Sequence, residues 1–286
     1  MQAEAVQQTR FSVGGKPARS EALLRSLPRF GLYAFAALVY VFLYAPVVVM
    51  AVFSFNDSPV QTLPLKGLTG DWYAKFAADS SIRDALVFSV EVAALAVFVS
   101  LAAGTGFAFL FSRVRVLGLK VAQLLLVIPV ILPGMVLGIS LLLAFRFIGV
   151  GPGMVAIVVA HVTFLTPIVT FIVMQRLRML DPVLEQASMD LGAGRIRTFA
   201  HVTFPAIRIS LLAAGLLSFT VSFDEIAVTF FVSGFRQTLP VHIWALLRFG
   251  FTPAVNAVLT LIGIVSIVTI VISTVALRRA GGRQLT

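Results

Sequence analysis

The sequence predicts an all-α protein built of six membrane-spanning helices, and three observations carry that prediction. Of its 286 residues, 59% are hydrophobic and only 12% charged, where an ordinary soluble domain is about one quarter charged. The apolar residues run on for about 20 positions at a time, the length a helix needs to cross roughly 30 Å of hydrocarbon. They do not alternate with polar residues, as the strands of a membrane barrel would. The 25 Phe and 21 Gly suit helices that face lipid and pack closely on one another.

Residues 1–30 are polar and carry Arg10, Lys16, Arg19, Arg25 and Arg29. The apolar run that follows is too long for a signal-peptide core and lacks a cleavage pattern, so it reads as a retained first span. The six expected spans are Gly31 to Phe53, Ala85 to Phe111, Val121 to Phe145, Gly153 to Met174, Ala206 to about Phe231, and Ala254 to Leu277. Together they make a membrane domain over 31–277, with a polar loop at 175–205 and a short tail at 278–286. In the third, Ile128-Pro129 and Leu132-Pro133-Gly134 predict a kink.

The charges orient the bundle. An even number of spans puts both termini on one side. With the N-terminus inside, the inner parts hold the five basic residues named above, then Arg113, Arg115 and Lys120, then Arg176, Arg178, Arg195, Arg197 and Arg208, then Arg278, Arg279 and Arg283. The outer parts hold only Lys66, Lys75, Arg83, Arg146, Arg236 and Arg248. This asymmetry predicts a multi-pass membrane protein with both termini in the cytoplasm. The formal charge of +10 is thereby a mark of topology, and no basic amphipathic surface for nucleic acid is present. There is no Cys, which removes disulfide frameworks and Cys-based metal or redox sites. His161, His201 and His242 are too scattered to argue for a metal.

The stretch LEQASMDLGAGRIRTFAHVTFP, Leu184 to Pro205, interrupts the apolar pattern on the cytoplasmic side. Asp181-Pro182 reads as a helix start, because Asp can cap a free N–H and Pro is tolerated in the first turn. Leu184, Ala187 and Leu191 then form one apolar stripe, while Glu185, Gln186 and Asp190 face elsewhere. Gly192 and Gly194 break the helix. A second short helical piece puts Ile196, Phe199 and Val202 on one side, and Pro205 marks the entry to the fifth span. On periodicity alone two readings stay open: a connector resting on lipid headgroups, or a docking element for a cytoplasmic partner.

The stretch resembles the EAA loop of bacterial ABC importer permeases. Glu185, Gln186 and Ala187 stand in the Glu-Ala-Ala places, and Gly192 at the glycine, after the four-residue spacing of the longer form of the motif. After nine intervening residues Val202 stands for isoleucine, and Phe204-Pro205 close the pattern. The substitutions keep helix propensity or apolar bulk. The likeness extends from about Gly31 to Leu277, through YAPVVVMAVFSFNDS (Tyr44–Ser58), HVTFLTP (His161–Pro167), SFTVSFDE (Ser218–Glu225), FVSG (Phe231–Gly234) and FGFTPAVNA (Phe249–Ala257). These segments, with Asn256 near the start of the last span, resemble the second permease subunit of spermidine/putrescine importers.

That resemblance implies a type I importer permease working with a second homologous permease subunit, two cytoplasmic ATPase subunits and a periplasmic solute-binding protein. ATP and Mg would be bound by the ATPase partners and no cofactor by this chain, in keeping with the lack of a GxxxxGK[ST] phosphate cradle. It also implies that Glu185, Gln186, Ala187, Asp190, Leu191 and Gly192 couple the membrane helices to ATP hydrolysis, with Glu185, Ala187, Asp190 and Gly192 as the docking core. The cargo would be a polyamine or related small cationic amine; an amino-acid-like compound or an opine is the alternative within this family.

A cationic cargo needs acids or aromatic faces along its route. Asp224 lies about 24 Å beyond Arg208 on a continuous helix, in the outer part of the bilayer where an acid is expensive unless solvated or paired. Asp224, Glu225, Phe219 and Phe223 are the expected path residues, with Glu225 pointing about 100° from Asp224. The competing expectation is that the two acids end a span in headgroup water. Glu91 is expected to face the bundle or the outer interface, and His161 to be a packed, hydrogen-bonded helix residue. A secondary transporter or channel would use the same broken third span and the same acid, and a non-transporting membrane scaffold is the third class.

Overall fold

The computed structural model describes residues 19–59, 61–114, 116–248 and 253–281. In chain order the helices are α1 (Arg19–Phe53), α2 (Asp71–Ala78), α3 (Ser80–Arg113), α4 (Leu117–Ile131), α5 (Gly134–Phe147), α6 (Met154–Met179), α7 (Pro182–Asp190), α8 (Arg195–Thr198), α9 (Phe204–Phe223), α10 (Thr229–Val232), α11 (Leu239–Leu247) and α12 (Pro253–Gly281), with a π turn at Phe199–Thr203. No strand occurs among the described residues; an isolated antiparallel bridge joins Asn56 and Leu68.

The chain divides into two compact units, Met1–Thr69 with Asn256–Thr286, and Gly70–Val255. In the first, α1 presents exposed apolar side chains such as Leu32, Phe35, Leu38 and Phe42, as a lipid-facing helix does. The loop after it is pinned by the N–H of Asp57 to the carbonyl of Gly67 (3.1 Å) and that of Thr69 to Phe55 (2.8 Å).

The second unit is organised by α3, α6 and α9. Small residues let α3 and α6 touch: a Cβ placed on Gly104 would lie 2.7 Å from Val169 Cβ and 3.0 Å from the carbonyl of Thr166. Phe88, Val92 and Ala96 of α3 pack with Ile157, Ala160 and Leu165 of α6 and with Val228 and Val232. Further along, Ala108 and Phe111 meet Val169, Val173 and Leu177 of α6 and Ile207 and Ala214 of α9. On the α11 side, the buried N–H of Leu239 donates to Ser89 Oγ at 2.7 Å. Arg236 lies 4.3 Å over the Phe88 ring and 3.6 Å from Glu91, whose side chain lies on an exposed face.

Several expected boundaries change. Among the described residues, four helices are long and apolar enough to cross a bilayer: α1 over Gly31–Phe53, α3, α6, and a run from Arg195 to Phe223. The expected third span, Val121 to Phe145, is two helices bent by 109°. Pro133 explains the sharpness: it holds Leu132 extended (φ −67°, ψ 139°), since a residue before proline is disfavoured in the α region. The expected fifth span, Ala206 to Phe231, starts earlier and ends at Phe223. The ladder passes Pro205 by widening, with the N–H of Phe204 reaching Phe199 O, because Pro205 has no N–H to return to His201. Of the sixth, the apolar stretch Pro253–Ile264 within α12 is identified, so the described residues give four spans, or five with the bent pair. The helices α2 and α11 lie in loops where the sequence suggested none. Residues 1–18 of the expected N-terminal segment, 249–252 of the FGFTPAVNA stretch and 282–286 of the tail lie outside the described residues.

Asp79 caps α3, its carboxylate accepting from the Ser81 N–H (2.8 Å) and hydroxyl (2.7 Å). The Ser81 hydroxyl, aided by backbone N–H groups, holds this carboxyl below its ordinary value. A carboxyl depressed in the folded state adds stability above its unfolded pKa, and that contribution is lost as pH falls through the folded value. Thermal melts of the detergent-solubilised protein at descending pH are expected to show an acid-dependent loss below the usual carboxylate range that Asp79→Asn reduces.

Candidate functional site

The loop after α6 is built in the order its sequence suggests. Asp181 accepts from the N–H of Val183 at 2.9 Å with Pro182 in the first turn, so α7 starts there. It ends in a Schellman motif, with the N–H of Gly192 on Met189 O (2.9 Å) and that of Ala193 on Ser188 O (3.1 Å). Such a motif needs a left-handed residue after the helix, and Gly192 has φ +88°. Gly194 has an ordinary φ of −69°.

The side chain at Gly192 would meet nothing within 4 Å, so a substitution there acts through the backbone. Gly192→Leu is expected to cost roughly 1–2 kcal/mol at this one position and to misdirect the turn into α8. Gly192→Asn, which tolerates left-handed backbone, and Gly194→Ala should both stay near wild type in thermal melts. Equal behaviour of Leu and Asn at position 192 would remove the backbone argument.

Orientation of α7 sorts its residues. Leu184, Leu191 and Ile196 are exposed, the last two at 90% and 86%, and Gln186, Ala187 and Asp190 are exposed too. Glu185 instead faces inward with only 16% of its side chain accessible. Both its oxygens accept from Arg113 Nη2, at 2.6 and 2.8 Å, and the Thr203 hydroxyl donates to Oε1 at 2.5 Å. Ser188 and Thr198 hydroxyls meet at 3.1 Å. Arg113 stacks 5.2 Å over Phe109, whose ring meets Phe199 edge-on at 5.8 Å. Arg176 Nε donates to Ala206 O at 2.9 Å. One carboxylate thus ties α7 to the end of α3 and to the π turn that leads into α9. Around it lies a cavity of about 430 Å³ that also touches Met189 and Arg195.

At the other end of α9 the two acids separate. Asp224 is the residue after the helix, its N–H on Thr220 O at 3.2 Å, and its side chain is exposed. Phe219 and Phe223, stacked at 6.0 Å, are half-buried beside it. Glu225 leaves the helix altogether, so the expected 100° offset from Asp224 does not apply. Its carboxylate accepts from the N–H of Val228 (2.8 Å), the N–H of Thr229 (2.8 Å) and the Thr229 hydroxyl (2.7 Å), which satisfies the free donors that open α10.

His161, fully buried on α6, completes this cluster. Its Nδ1 is 2.7 Å from Ser222 Oγ and its Nε2 is 2.9 Å from Thr229 Oγ1. Since the Thr229 hydroxyl donates to Glu225, it accepts from His161 Nε2–H, and Nδ1 accepts from Ser222. A directed chain therefore runs from Ser222 through His161 and Thr229 to Glu225. Glu225 also lines a cavity of about 210 Å³ at the α4–α5 break, with Pro129, Leu132, Gly134 and Phe164.

Arg113, Thr203, Ser222 and Thr229 are site residues that sequence reasoning missed. For Thr229 a signal existed: an acid a few residues ahead of a short apolar helix is a capping pattern. For Arg113, which is 72 residues from Glu185, no local signal exists.

A membrane bundle with a helix–turn–helix loop packed against two of its spans is the plan of an ABC importer permease. The fold agrees with two solved structures: a bacterial ABC transporter involved in the import of the acidic polysaccharide alginate (TM-score 0.66, 15% identity, covering 93% of this chain and 99% of that one), and an amino acid ABC transporter (TM-score 0.54, 20% identity, 73% and 96%). No protein-family model matches the chain. Among curated relatives, the spermidine/putrescine transport system permease protein PotC of Haemophilus influenzae is 32% identical over 247 residues, covering 86% of this chain and 96% of the relative. The putrescine transport system permease protein PotI of Escherichia coli is 36% identical over 238 residues, covering 80% and 84%. The chain belongs to the PotC/PotI family of ABC transport permeases and is a multi-pass membrane permease subunit.

Proposed function

We propose that this permease imports spermidine, putrescine or a related small cationic amine across the bacterial inner membrane, paired with a second homologous permease subunit. Two cytoplasmic ATPase subunits supply ATP and Mg binding, and a periplasmic solute-binding protein delivers the cargo. The observation that carries the reading is the arrangement of α7: an exposed apolar face of Leu184, Ala187 and Leu191, backed by a carboxylate joined to α3 and to the root of α9. That arrangement suits a coupling element over 175–205 whose outer face receives an ATPase. Gln186, Asp190 and Gly192 belong to that face and its turn, while Glu185 acts as the joint behind it. The amine character of the cargo follows the relatives' names and the presence of an exposed acid, Asp224, beside two stacked rings.

The functional test is reconstitution. Proteoliposomes holding both permeases and the ATPases are expected to take up radiolabelled spermidine or putrescine only with internal ATP and external binding protein. Uptake by this chain on its own would point to a secondary transporter or channel and defeat the proposal. Within the working complex, Asp224→Asn is expected to lower amine uptake several-fold, because a single charge beside a dication contributes on the order of 1 kcal/mol in a hydrated path. Asp224 is the path residue proposed over Glu225, whose oxygens are already occupied. Unchanged uptake and unchanged amine-stimulated ATPase in Asp224→Asn would exclude it. The inward placement of both termini rests on the charge bias. A cysteine introduced at Lys120 in this Cys-free chain should react with an impermeant maleimide only from the cytoplasmic side.

A further inference from the structure

We propose that the cavity between the ends of α3 and α6 and the start of α4 holds the headgroup of an anionic phospholipid of the inner leaflet. The cavity measures about 650 Å³ and is lined on one side by Lys120, Gln123 and Arg178 and on the other by Phe111, Val114 and Leu119. No acid lines it.

The cations there are unspent. At these helix ends Arg113 is taken by Glu185 and Arg176 by the carbonyl of Ala206. Lys120 and Arg178 make no ion pair among the described residues. Gln123 donates only to Met174 Sδ, at 3.5 Å, and a thioether is a weak acceptor. The cavity thus offers two positive charges and an amide to an anion. Arg178, in the last turn of α6, also offsets the carbonyl end of that helix, but this accounts neither for Lys120 nor for the cavity between them.

The apolar wall decides the source of the anion. A free phosphate would use the two cations and leave Phe111, Val114 and Leu119 idle. A phospholipid uses both sides, its phosphate on Lys120 and Arg178 and the first part of its chains on the wall. Basic pockets between helices at the cytoplasmic surface are of this kind. The polyamine cargo is repelled by the same charges, so the site is separate from the transport path. The inner-leaflet placement rests on the charge-based orientation proposed above.

The test uses the assembled importer, delipidated in mild detergent and titrated with phosphatidylglycerol, phosphatidylcholine or inorganic phosphate, with bound lipid read by native mass spectrometry. Wild type is expected to retain phosphatidylglycerol in preference to phosphatidylcholine, and millimolar phosphate should not displace it. Lys120→Gln with Arg178→Gln should weaken that retention roughly 30-fold, while Arg208→Gln, at an exposed basic position of α9, should not. Three results overturn the proposal: equal retention of phosphatidylcholine by wild type, displacement by phosphate, or an equal loss in Arg208→Gln. The first two need no variant, so poor assembly of the double variant leaves the test intact. Outside labelling of a cysteine at Lys120 would instead overturn the orientation.

Discussion

Glu225→Ala is expected to destabilise the permease by about 2–6 kcal/mol, read as a lowered thermal midpoint and poor recovery of folded protein in detergent. The substitution leaves two backbone N–H groups, those of Val228 and Thr229, without an acceptor, and each part-buried donor left unmade costs about 1–3 kcal/mol. It also removes the end of the chain from Ser222 through His161 and Thr229. Glu225→Gln should recover part of the loss, since one amide oxygen can still accept while the amide nitrogen opposes the second donor. His161→Ala combined with Glu225→Ala should cost less than the sum of the two, because both act on one network. Additive losses would show that the histidine and the carboxylate do not work together. If Glu225→Ala melts like wild type, the capping role is wrong.

The second large effect concerns transport. Glu185→Ala is expected to cost the fold about 1–3 kcal/mol, chiefly by leaving the buried Thr203 hydroxyl without its acceptor, since the pair with half-exposed Arg113 adds at most about 1 kcal/mol, yet to reduce uptake roughly tenfold or more while ATP hydrolysis continues. Tenfold is the size of effect that a break in a coupling network produces. Arg113→Ala should produce the same pattern, and Thr203→Val a milder one. This separates two roles for the carboxylate. Were Glu185 to act by touching the ATPase, Arg113→Ala would be close to neutral. Loss in both, with the double variant no worse than either single one, assigns the joint.

Much of this architecture could be read from the residues, and the failures have physical causes. Continuous apolar runs located α1, α3 and α6 because lipid leaves the backbone no alternative to a helix. Asp181-Pro182 and Gly192 located both ends of α7, since caps and left-handed turns are local chemistry. The stripe of Leu184, Ala187 and Leu191 was legible as well. What it packs against was not: in the structure that stripe points outward, and the polar Glu185 points in. The reason is that Arg113 and Thr203 reach Glu185 from distant positions in the chain, and no window of sequence contains all three. Pro205 does mark the start of α9, in its first turn; what the residues did not announce is that the helical run enters it through a widened turn at Phe199–Thr203. The two acids at 224 and 225 were treated as neighbours on a helix, whereas the helix ends between Phe223 and Asp224 and sends them into different surroundings. Asp224 lies exposed just past the end of α9, and Glu225 caps α10.

The widened turn at Phe199–Thr203 has a bearing on the far end of its helix. A π turn holds one more residue than an α turn, and each residue of helix carries about 100° of rotation. The azimuth of α9 is therefore dialled at its root, and Pro205, lacking the N–H that would let the turn relax, keeps the dial from slipping. Phe219, Phe223 and Asp224 look in the direction they do because of a proline about four to five turns away.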